Sequence, residues 1–520
     1  MPIVPIGPAG KIGVIRDTSS AELPPQAWTD ARNVRFLDGS AFQSLGHGEI
    51  YAGPPITPYH VMPVNVGAER HWLYAGASKV YDVTSASGSV VHTNITQQDT
   101  GVDLDYGGAP NAWTSTSLSG IPILNPGNTS FYPQQWGLSG RLADLTNWPN
   151  DTYCKSLRAF KSQLVALNVT KGSTNYPFMV KWSHPADPGG VPPSWDPTDA
   201  TKDAGETDLA EGGDPIMDGL QLGGTFVIYK EHSVWRMDYT GGPFVQAFTK
   251  VLGSSGALNR NCIVEIDGRH VVLTGDDVVT HDGQSAQSVL DRQARRALFQ
   301  AIDAQATGRC FVFKNPFLNE VFVAFPEAGA TIPNLALVWN YKDGTVGYRE
   351  LPSIHHANFG QVESGISQPW SADSSPWGSD VSAWNAAEYT PDASRVLMAA
   401  DAGKLFLLDS STTFDGSLPT AFLERRGLAL GGADSRKLVR GVRPRIQGAN
   451  GETVTVRIGA ANDPYSDPTY DTAMTYTIGS DHPCDCMVEG RFIAVRFEGG
   501  SAYSWRLDSY DLDVVRAGSI

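Results

Sequence analysis

The chain has 520 residues, a net charge of −16, 41% hydrophobic residues and only 18% charged residues. A chain of this length needs several domains or a repeat architecture, and its low charge content excludes an intrinsically disordered protein. The acidic surplus disfavours a general nucleic-acid-binding protein, which needs excess Lys and Arg, but it allows a protein past which DNA slides without sticking.

Along the chain, short apolar runs alternate with tight turns, and Asp-Gly pairs mark turns beginning at Asp38, Asp218, Asp267, Asp282, Asp343 and Asp415. Pairs of such runs predict β-hairpins, for example at 71–83 and 225–237. Their spacing agrees with the blade period of about 40–50 residues in a β-propeller if long insertions are allowed. An array of β-sandwiches is the structural alternative.

These patterns predict an all-β protein with three parts. Residues 1–50 form an N-terminal arm and first hairpin, 51–419 a β-propeller-like repeat domain, and 420–520 a C-terminal antiparallel β domain. Three polar stretches interrupt the repeats as insertions, at about 87–150, 183–218 and 364–394. Loops of this length in a compact chain usually serve a function or bind a partner.

Helix is expected in only one place, at 287–303. There Leu290, Ala294, Ala297, Leu298 and Ile302 recur at helical spacing and form an apolar stripe. Three arginines (Arg292, Arg295 and Arg296) fall outside the stripe and are expected on a solvated face.

The motifs tested for catalysis are absent from the sequence. It contains no phosphate-binding Gly-rich loop and no Gly-x-Ser-x-Gly nucleophile elbow. Segment 482–486 holds a His, an Asp and two Cys, but no second ligand pair accompanies it, so a turn is favoured over a zinc site. His355 and His356 are neighbours on a predicted strand and should face opposite ways. We therefore expect no enzymatic activity, no cofactor and no metal.

The remaining sequence features indicate a soluble intracellular product. Five cysteines spread over a large chain indicate free thiols rather than a disulfide framework. The N-terminus does not resemble a signal peptide, and no apolar run reaches the roughly 18 residues of a membrane span. We expect assembly in a reducing cytoplasm and no membrane span.

Two charged stretches are candidate contact surfaces. The acidic stretch is a candidate channel or tip segment, with a solvated loop or an adventitious calcium site as alternatives, and contains Asp196, Asp199, Asp203, Glu206, Asp208 and Glu211. The basic stretch is a candidate contact with another subunit or an adaptor, with a charged edge strand as the alternative, and contains Arg425, Arg426, Arg436, Lys437, Arg440, Arg443 and Arg445.

A family resemblance adds a function to this description. Segment 19–39, Ser-Ser-Ala-Glu-Leu-Pro-Pro-Gln-Ala-Trp-Thr-Asp-Ala-Arg-Asn-Val-Arg-Phe-Leu-Asp-Gly, resembles the N-terminal region of the nozzle, or tail tubular, proteins of short-tailed bacteriophages. Further short matches in the same order lie at 73–81, 180–187, 195–196, 228–235, 335–340 and 490–492. Together they run from about residue 15 to the end of the chain.

The resemblance implies a structural protein of the virion tail. Such a subunit forms a homohexameric ring below a tail adaptor ring, docks tail fibres or spikes, retains the packaged genome and opens on ejection. Viral DNA passes through its lumen without sequence-specific binding. The alternative is a carbohydrate-binding or carbohydrate-cleaving tail propeller that contacts the host receptor, for which Trp370, Trp377 and Trp384 are candidate groove residues.

Overall fold

The computed structural model describes residues 3–66, 69–86, 89–241, 245–362, 394–480, 482–500 and 503–519. The fold is all-β, as predicted, and combines a β-propeller-like repeat domain with an antiparallel β-sandwich. The N-terminal arm contributes five short strands: β1 (Ile3–Ile6), β2 (Asp30–Arg32), β3 (Val34–Leu37), β4 (Ser40–Gln43) and β5 (Gly46–Glu49).

The repeat domain consists of seven four-stranded antiparallel sheets, or blades. Blade 1 contains β6 (His60–Val66), β7 (Glu69–Ala75), β8 (Val80–Ala86) and β9 (Ser89–Asn94), and the hairpin β10 (Gln98–Asp99) and β11 (Val102–Asp103) follows it. Blade 2 contains β12 (Thr114–Leu118), β13 (Ile121–Asn125), β14 (Gln134–Gln135) and β15 (Ala143–Asp144). Blade 3 contains β16 (Thr152–Phe160), β17 (Gln163–Lys171), β18 (Thr174–Trp182) and β19 (Gly205–Asp208).

The remaining blades continue in the same order. Blade 4 contains β20 (Ile216–Leu222), β21 (Thr225–Lys230), β22 (Val234–Tyr239) and β23 (Gln246–Leu252); blade 5 contains β24 (Ile263–Ile266), β25 (Arg269–Leu273), β26 (Val278–His281) and β27 (Ala286–Ser288). The helix α1 (Arg295–Ala301) and two 3-10 turns, Thr307–Arg309 and Pro316–Leu318, lie near blade 6, which contains β28 (Phe311–Asn315), β29 (Glu320–Phe325), β30 (Leu335–Asn340) and β31 (Val346–Glu350). Blade 7 contains β32 (Ile354–Gln361), β33 (Ser394–Ala400), β34 (Lys404–Ser411) and the arm strand β5.

The first strand of each blade faces a common axis. Neighbouring first strands pack in sequence from β12 to β32, and β32 packs against β6. The ring closes between β6 and β12, where the Nε2 of His60 and the hydroxyl of Ser115 are 2.8 Å apart. Strand β5, from the beginning of the chain, supplies the outer strand of the last blade. Blade 7 therefore joins distant parts of the chain and locks the ring.

The C-terminal part and the N-terminal arm form one β-sandwich. Its C-terminal strands are β35 (Ala421–Leu428), β36 (Ser435–Gln447), β37 (Thr453–Ala461), β38 (Thr469–Tyr470), β39 (Met474–Thr477), β40 (Cys484–Gly490), β41 (Phe492–Gly499) and β42 (Arg506–Ser519). One sheet adds β1, β3 and β4 to β42, β36 and β40, and the other adds β2 to β35, β41, β37, β38 and β39. The sequence-based boundaries at 50 and 419 remain predictions, but the strand pairing divides residues 1–50 between the sandwich and blade 7.

A buried network of four charges joins the sandwich to blades 6 and 7. The guanidinium of Arg35, on β3, lies 2.7 Å from Glu320 of blade 6 and 2.8 Å from Asp409 of blade 7. Arg349, on β31, donates a hydrogen bond of 2.6 Å to the other oxygen of Asp409. A single hydrophobic core also runs through both parts, from Val271 and Val323 in the blades to Val495 in the sandwich. The two parts therefore pack as one body.

Two of the predicted insertions are wrong in extent. Residues 114–144, within the predicted insertion 87–150, form blade 2. In the predicted insertion 183–218, strand β19 completes blade 3 and β20 begins blade 4. Strands β12, β14, β15 and β19 are short and polar and gave no apolar signal, and the single apolar run of β13 between them did not form a recognisable hairpin pattern. The third insertion, 364–394, lies outside the described residues except for Ser394.

Two local predictions are also corrected. The helix covers only Arg295–Ala301 instead of 287–303, because Arg292 has φ of 58° and this left-handed conformation interrupts a helix. The Asp-Gly pairs at Asp38 and Asp267 do form tight turns with positive φ at both residues. The pair at Asp218 instead lies within the inner strand β20, where Gly219 leaves room for the ring of Phe226.

Candidate functional site

The inner strands of all seven blades enclose a cavity of about 280 Å³ on the propeller axis. All seven blades contribute polar residues to its lining, which are His60, Ser115, Arg158, Asp218, Asn261, Glu265, Lys314, His356 and Asn358. Apolar lining residues include Leu220, Ile263, Phe313 and Phe359. Central cavities with a few convergent polar groups are where ligands bind in many folds, so this is the candidate site.

An ion pair closes the inner end of the cavity. Arg158 donates hydrogen bonds to both carboxylate oxygens of Asp218, at 2.9 and 2.5 Å, and a third to Asn261 at 2.9 Å. The hydroxyl of Ser156 and the backbone N–H of Asn261 also donate to Asp218. Burial raises the pKa of Asp218, but the Arg158 charge and these hydrogen bonds outweigh it and hold the pKa below its ordinary value. The carboxylate is therefore ionised and fully hydrogen-bonded.

Two imidazole rings in close contact, tilted by 31° to each other, lie beside this ion pair. The rings of His60 and His356 have centroids 4.0 Å apart, and both side chains are buried. Burial, helped by the Arg158 charge, lowers the pKa of His356 to about 3. Burial and then the neighbouring His356 lower the pKa of His60 well below its ordinary value. Both rings are therefore neutral at physiological pH.

The hydrogen bonds fix the tautomer of His356. Its Nδ1 accepts the backbone N–H of Val61 at 3.4 Å, so the proton is on Nε2. Within the described part of the chain, no protein group accepts a hydrogen bond from that Nε2–H, and the ring lines the cavity. His355, its neighbour in sequence, faces the other way and pairs with Asp401 at 3.0 Å, as the strand alternation predicted.

The outer end of the cavity carries a second ion pair. The Nζ of Lys314 lies 3.5 Å from Glu265, and their side chains are 33% and 41% exposed. Phe359 and Asn358 are half-buried on the adjacent inner strand β32. The cavity therefore runs from a closed, buried floor to a partly exposed mouth. Its four charged groups form two pairs, so it carries no net charge.

The acidic stretch lies away from this cavity, on the outer edge of blade 3. Asp208 is exposed on the outermost strand β19, and Asp196 and Asp199 accept hydrogen bonds from Thr198 and Thr201 in the preceding loop. Asp203 accepts a hydrogen bond from Tyr239. These residues do not line the propeller axis, and their role as a channel or tip segment in an assembly stays a prediction.

Two other acidic side chains of that stretch are neutralised by lysines. Glu206 lies 2.5 Å from Lys171 and 2.9 Å from Lys181. Burial raises the pKa of Glu206, but these two lysines outweigh that effect and lower it. Glu211 pairs with Lys250 at 3.0 Å. The stretch is therefore less negative than its composition indicates.

The basic stretch is corrected in part. Arg425 and Lys437 are buried in the sandwich, where they donate to backbone carbonyls, so neither can contact another subunit. Arg426 pairs with Glu424 and Asp467. Side chains of a long β strand alternate between its faces, which explains why a run of basic residues in the sequence does not form one basic surface.

Four arginines of strand β36 remain at the surface of the sandwich. Arg436, Arg440 and Arg445 pair with acidic residues of the neighbouring strands, namely Glu489, Asp513 and Asp511. Arg443 is exposed, and among the described residues it has no ion-pair partner. A contact of this surface with an adaptor or another subunit stays a prediction, and Arg443 is its most available charge.

The remaining predictions concern metal ligands, the cysteines of segment 482–486, the tryptophans of the third insertion and membrane spans. Within the described residues, no cluster of three or more His, Cys, Asp or Glu side chains is arranged to hold a metal ion. Cys484 and Cys486 lie on strand β40 rather than in a turn. Trp370, Trp377 and Trp384 lie outside the described residues. No described helix has the length and apolar character needed to cross a membrane.

The sequence patterns did not indicate the cavity residues His60, Arg158 and Asn261. A signal does exist, because Arg158 interrupts the apolar run from Leu157 to Phe160 and a charged residue inside a buried strand is normally paired. Its partner Asp218 was interpreted as a turn residue because Gly219 follows it. Only the ring of inner strands brings these distant positions together.

The lowered pKa values of the buried histidines predict how the free energy of unfolding depends on pH. Burial lowers the pKa of His270 and of His47 to about 4, and that of His356 to about 3. Below pH 6.5 the unfolded chain binds protons at these sites that the folded chain does not, so their stabilising contribution is present above pH 6.5 and is lost as the pH falls. As the pH falls near pH 5, each of these three groups should lower the free energy of unfolding by about 1.4 kcal/mol per pH unit. Burial also lowers the pKa of His60, His281 and His355, which adds to the slope.

Urea unfolding followed by Trp fluorescence between pH 8 and pH 4.5 measures this slope. His356→Phe should reduce it by about 1.4 kcal/mol per pH unit near pH 5, because one protonation site is removed. An unfolding free energy that stays constant from pH 7 to pH 5 contradicts the prediction.

Comparisons with known proteins find only distant structural likenesses. No protein-family model and no curated protein matches the chain. Among solved structures, PorZ, a surface component of the type-IX secretion system of Porphyromonas gingivalis, is 9% identical over 84% of this chain and 46% of PorZ, with a TM-score of 0.37. The extracellular domain of BT4673 from B. thetaiotaomicron is 8% identical over 90% of this chain and 62% of that one, with a TM-score of 0.38.

A third similar structure is a protein of unknown function from Desulfotomaculum acetoxidans, 14% identical over 59% of this chain and 90% of that one, with a TM-score of 0.35. The chain thus spans about half the length of PorZ. These likenesses concern the all-β architecture, and no function is inferred from them.

Proposed function

We propose that this chain is a structural subunit of a virion tail, a nozzle protein that forms a ring, continues the DNA exit channel, retains the packaged genome and opens on ejection. The sequence resemblance of 19–39 and the later segments to tail nozzle proteins suggests this role. The structural observation that supports it best is the joining of propeller and sandwich into one body by the buried charges of Arg35, Glu320, Asp409 and Arg349. A subunit that withstands the pressure of a packaged genome needs such rigidity.

The dimensions of the propeller axis favour a ring of several copies. The axial cavity has a volume of only about 280 Å³ and ends at the Arg158–Asp218 pair. Duplex DNA is much wider than this cavity, because its major groove alone is about 12 Å wide. DNA does not fit along the axis of one propeller. In the proposed assembly it passes through the lumen between copies, with an adaptor ring above and fibres or spikes at the side. No catalytic role is assigned to the chain.

The oligomeric state tests this proposal. Native mass spectrometry and negative-stain images of the purified chain should show a closed ring of six copies with an open lumen. An antibody raised against the chain should label the tail of virions from its source. A chain that stays monomeric at micromolar concentration, together with virions that the antibody does not label, overturns the proposal.

Electrostatics gives a second expected outcome for the same ring. The lumen should be neutral or acidic, because each Lys or Arg that contacts DNA adds affinity through counterion release and slows a genome in transit. Arg436, Arg440 and Arg443 should lie away from the lumen, against an adaptor or a neighbouring subunit. A ring structure in which these arginines line the lumen while Asp196 and Asp208 face outward contradicts the electrostatic argument.

A further inference from the structure

We infer that the axial cavity is a binding site for one neutral pyranose sugar, either free or as the end of a glycan chain. The site is distinct from the contact surfaces of the proposed nozzle role and does not depend on that role. The volume of about 280 Å³ lies just below the range of about 300–1,000 Å³ that is usual for small-molecule pockets. It therefore suits a single ring rather than a polymer.

The charge of the cavity selects a neutral ligand. Its cations, Arg158 and Lys314, are each paired with a carboxylate of the lining, from Asp218 and Glu265. The two imidazoles are uncharged, because burial keeps the pKa of His356 and that of His60 far below neutrality. A phosphate or carboxylate ligand would meet no unpaired cation there, and an amine would meet no unpaired carboxylate.

The polar groups of the cavity suit hydroxyl groups. A sugar hydroxyl both donates and accepts a hydrogen bond, and the buried His356 offers its Nε2–H without a protein acceptor in the described part of the chain. The adjacent His60 uses its Nε2 with Ser115, which leaves its Nδ1 for a ligand. Both residues line the cavity, so a ligand hydroxyl there can form hydrogen bonds for which the described protein groups do not compete.

The mouth adds the apolar surface that a pyranose needs. Phe359 is half-buried at the lining, and its neighbour Asn358 lies on the same strand. The C–H face of a pyranose packs against an aromatic ring, while its hydroxyl edges reach amides and ion pairs. Asn358, Lys314 and Glu265 supply these groups at the partly exposed end. The cavity thus offers the imidazoles of His60 and His356 at its buried end and an aromatic wall at its mouth.

Saturation-transfer NMR on the full chain tests the inference. The probes are glucose, galactose, mannose, rhamnose and N-acetylglucosamine, each as free sugar and as a linear oligosaccharide, with inorganic phosphate and acetate as charged competitors. At least one neutral sugar should bind, and neither anion should displace it. Binding of the oligosaccharide as well as the free sugar identifies a chain end as the ligand, and binding of the free sugar alone identifies a monosaccharide.

Variants locate the bound sugar. His356→Phe keeps an aromatic ring but removes the Nε2–H donor, and it should weaken binding at least tenfold. The matched control is His355→Phe, on the same strand but facing Asp401, and it should bind as the wild type does. Phe359→Ala at the mouth provides a second variant of the site, which should also weaken binding at least tenfold while the far-ultraviolet circular dichroism spectrum is unchanged.

Three results overturn the inference. The wild type binds none of the sugars, phosphate or acetate displaces the bound sugar, or His356→Phe and Phe359→Ala bind it as the wild type does. The last result places the sugar elsewhere on the chain. None of the three bears on the nozzle role, which the oligomeric state tests separately.

Discussion

Asp218→Asn should lower the free energy of unfolding by about 3–5 kcal/mol, which is the usual cost of removing one partner of a buried ion pair. The substitution keeps the size of the side chain but places amide hydrogens where Arg158 donates. Arg158 then stays buried without its counter-charge, and the hydrogen bonds from Ser156 and the Asn261 backbone are weakened. Urea unfolding at pH 7.5 measures the loss.

The matched control is Asp208→Asn on the outer strand of blade 3. Asp208 is exposed, so this substitution should change the free energy of unfolding by less than about 0.5 kcal/mol. A double variant, Arg158→Met with Asp218→Leu, should recover part of the loss, because no unpaired charge remains buried. If Asp218→Asn lowers the free energy of unfolding as little as Asp208→Asn does, the buried Arg158–Asp218 pair does not stabilise the fold as described.

The fold class was predictable because two physical signals extend over the whole chain. Alternating apolar runs and Asp-Gly turns, such as the one at Asp38, report local strand pairing and need no knowledge of distant residues. Blade 2 was missed because three of its four strands, such as Thr114–Leu118, are short and polar, and its one apolar strand, Ile121–Asn125, has no apolar neighbour in the sequence. A polar strand in a sheet looks like a loop in the sequence, since backbone hydrogen bonds stabilise it and leave no hydrophobic pattern.

The arrangement of the chain ends was not predictable from local patterns. Strand β5 pairs with β34, more than 350 residues later, and β1 pairs with β42 near the end of the chain. Nothing in the few residues of β5 specifies a partner so distant. The candidate site is non-local in the same way, because His60, Arg158 and His356 meet only when seven blades close into a ring.

The basic stretch shows how composition can mislead in a β protein. Its seven cations looked like one surface, but Arg425 and Lys437 turn inward and the surface arginines mostly face acidic residues of adjacent strands. The alternation of side chains along a strand separates what the sequence groups together. The acidic stretch behaves similarly, since Lys171 and Lys181 come from neighbouring strands of blade 3 and neutralise Glu206.

Asp409→Asn should loosen the contact between the N-terminal arm and the propeller and lower the free energy of unfolding by about 3–5 kcal/mol. Asp409 accepts hydrogen bonds from Arg35 and from Arg349, at 2.8 and 2.6 Å. Burial raises the pKa of Asp409, but these two guanidinium groups outweigh it and hold the pKa below its ordinary value, so the charge is present at neutral pH. In the Asn variant one of the two oxygens becomes an NH2 group that cannot accept from a guanidinium, so Arg35 or Arg349 loses its acceptor there and both lose the counter-charge.

The control variant, Asp415→Asn, separates this effect from a backbone effect. Asp409 and Asp415 both have positive φ, 58° and 46°, and Asn tolerates that conformation at both positions. Asp415 pairs with Lys404 at a partly exposed site, so its substitution should cost no more than about 1 kcal/mol. Hydrogen exchange measured by mass spectrometry should accelerate in residues 30–49 for Asp409→Asn and stay unchanged for Asp415→Asn. If exchange in 30–49 is unaffected by Asp409→Asn, the shared hydrophobic core alone holds the two parts together, and the buried charges do not provide the rigidity on which the nozzle role relies.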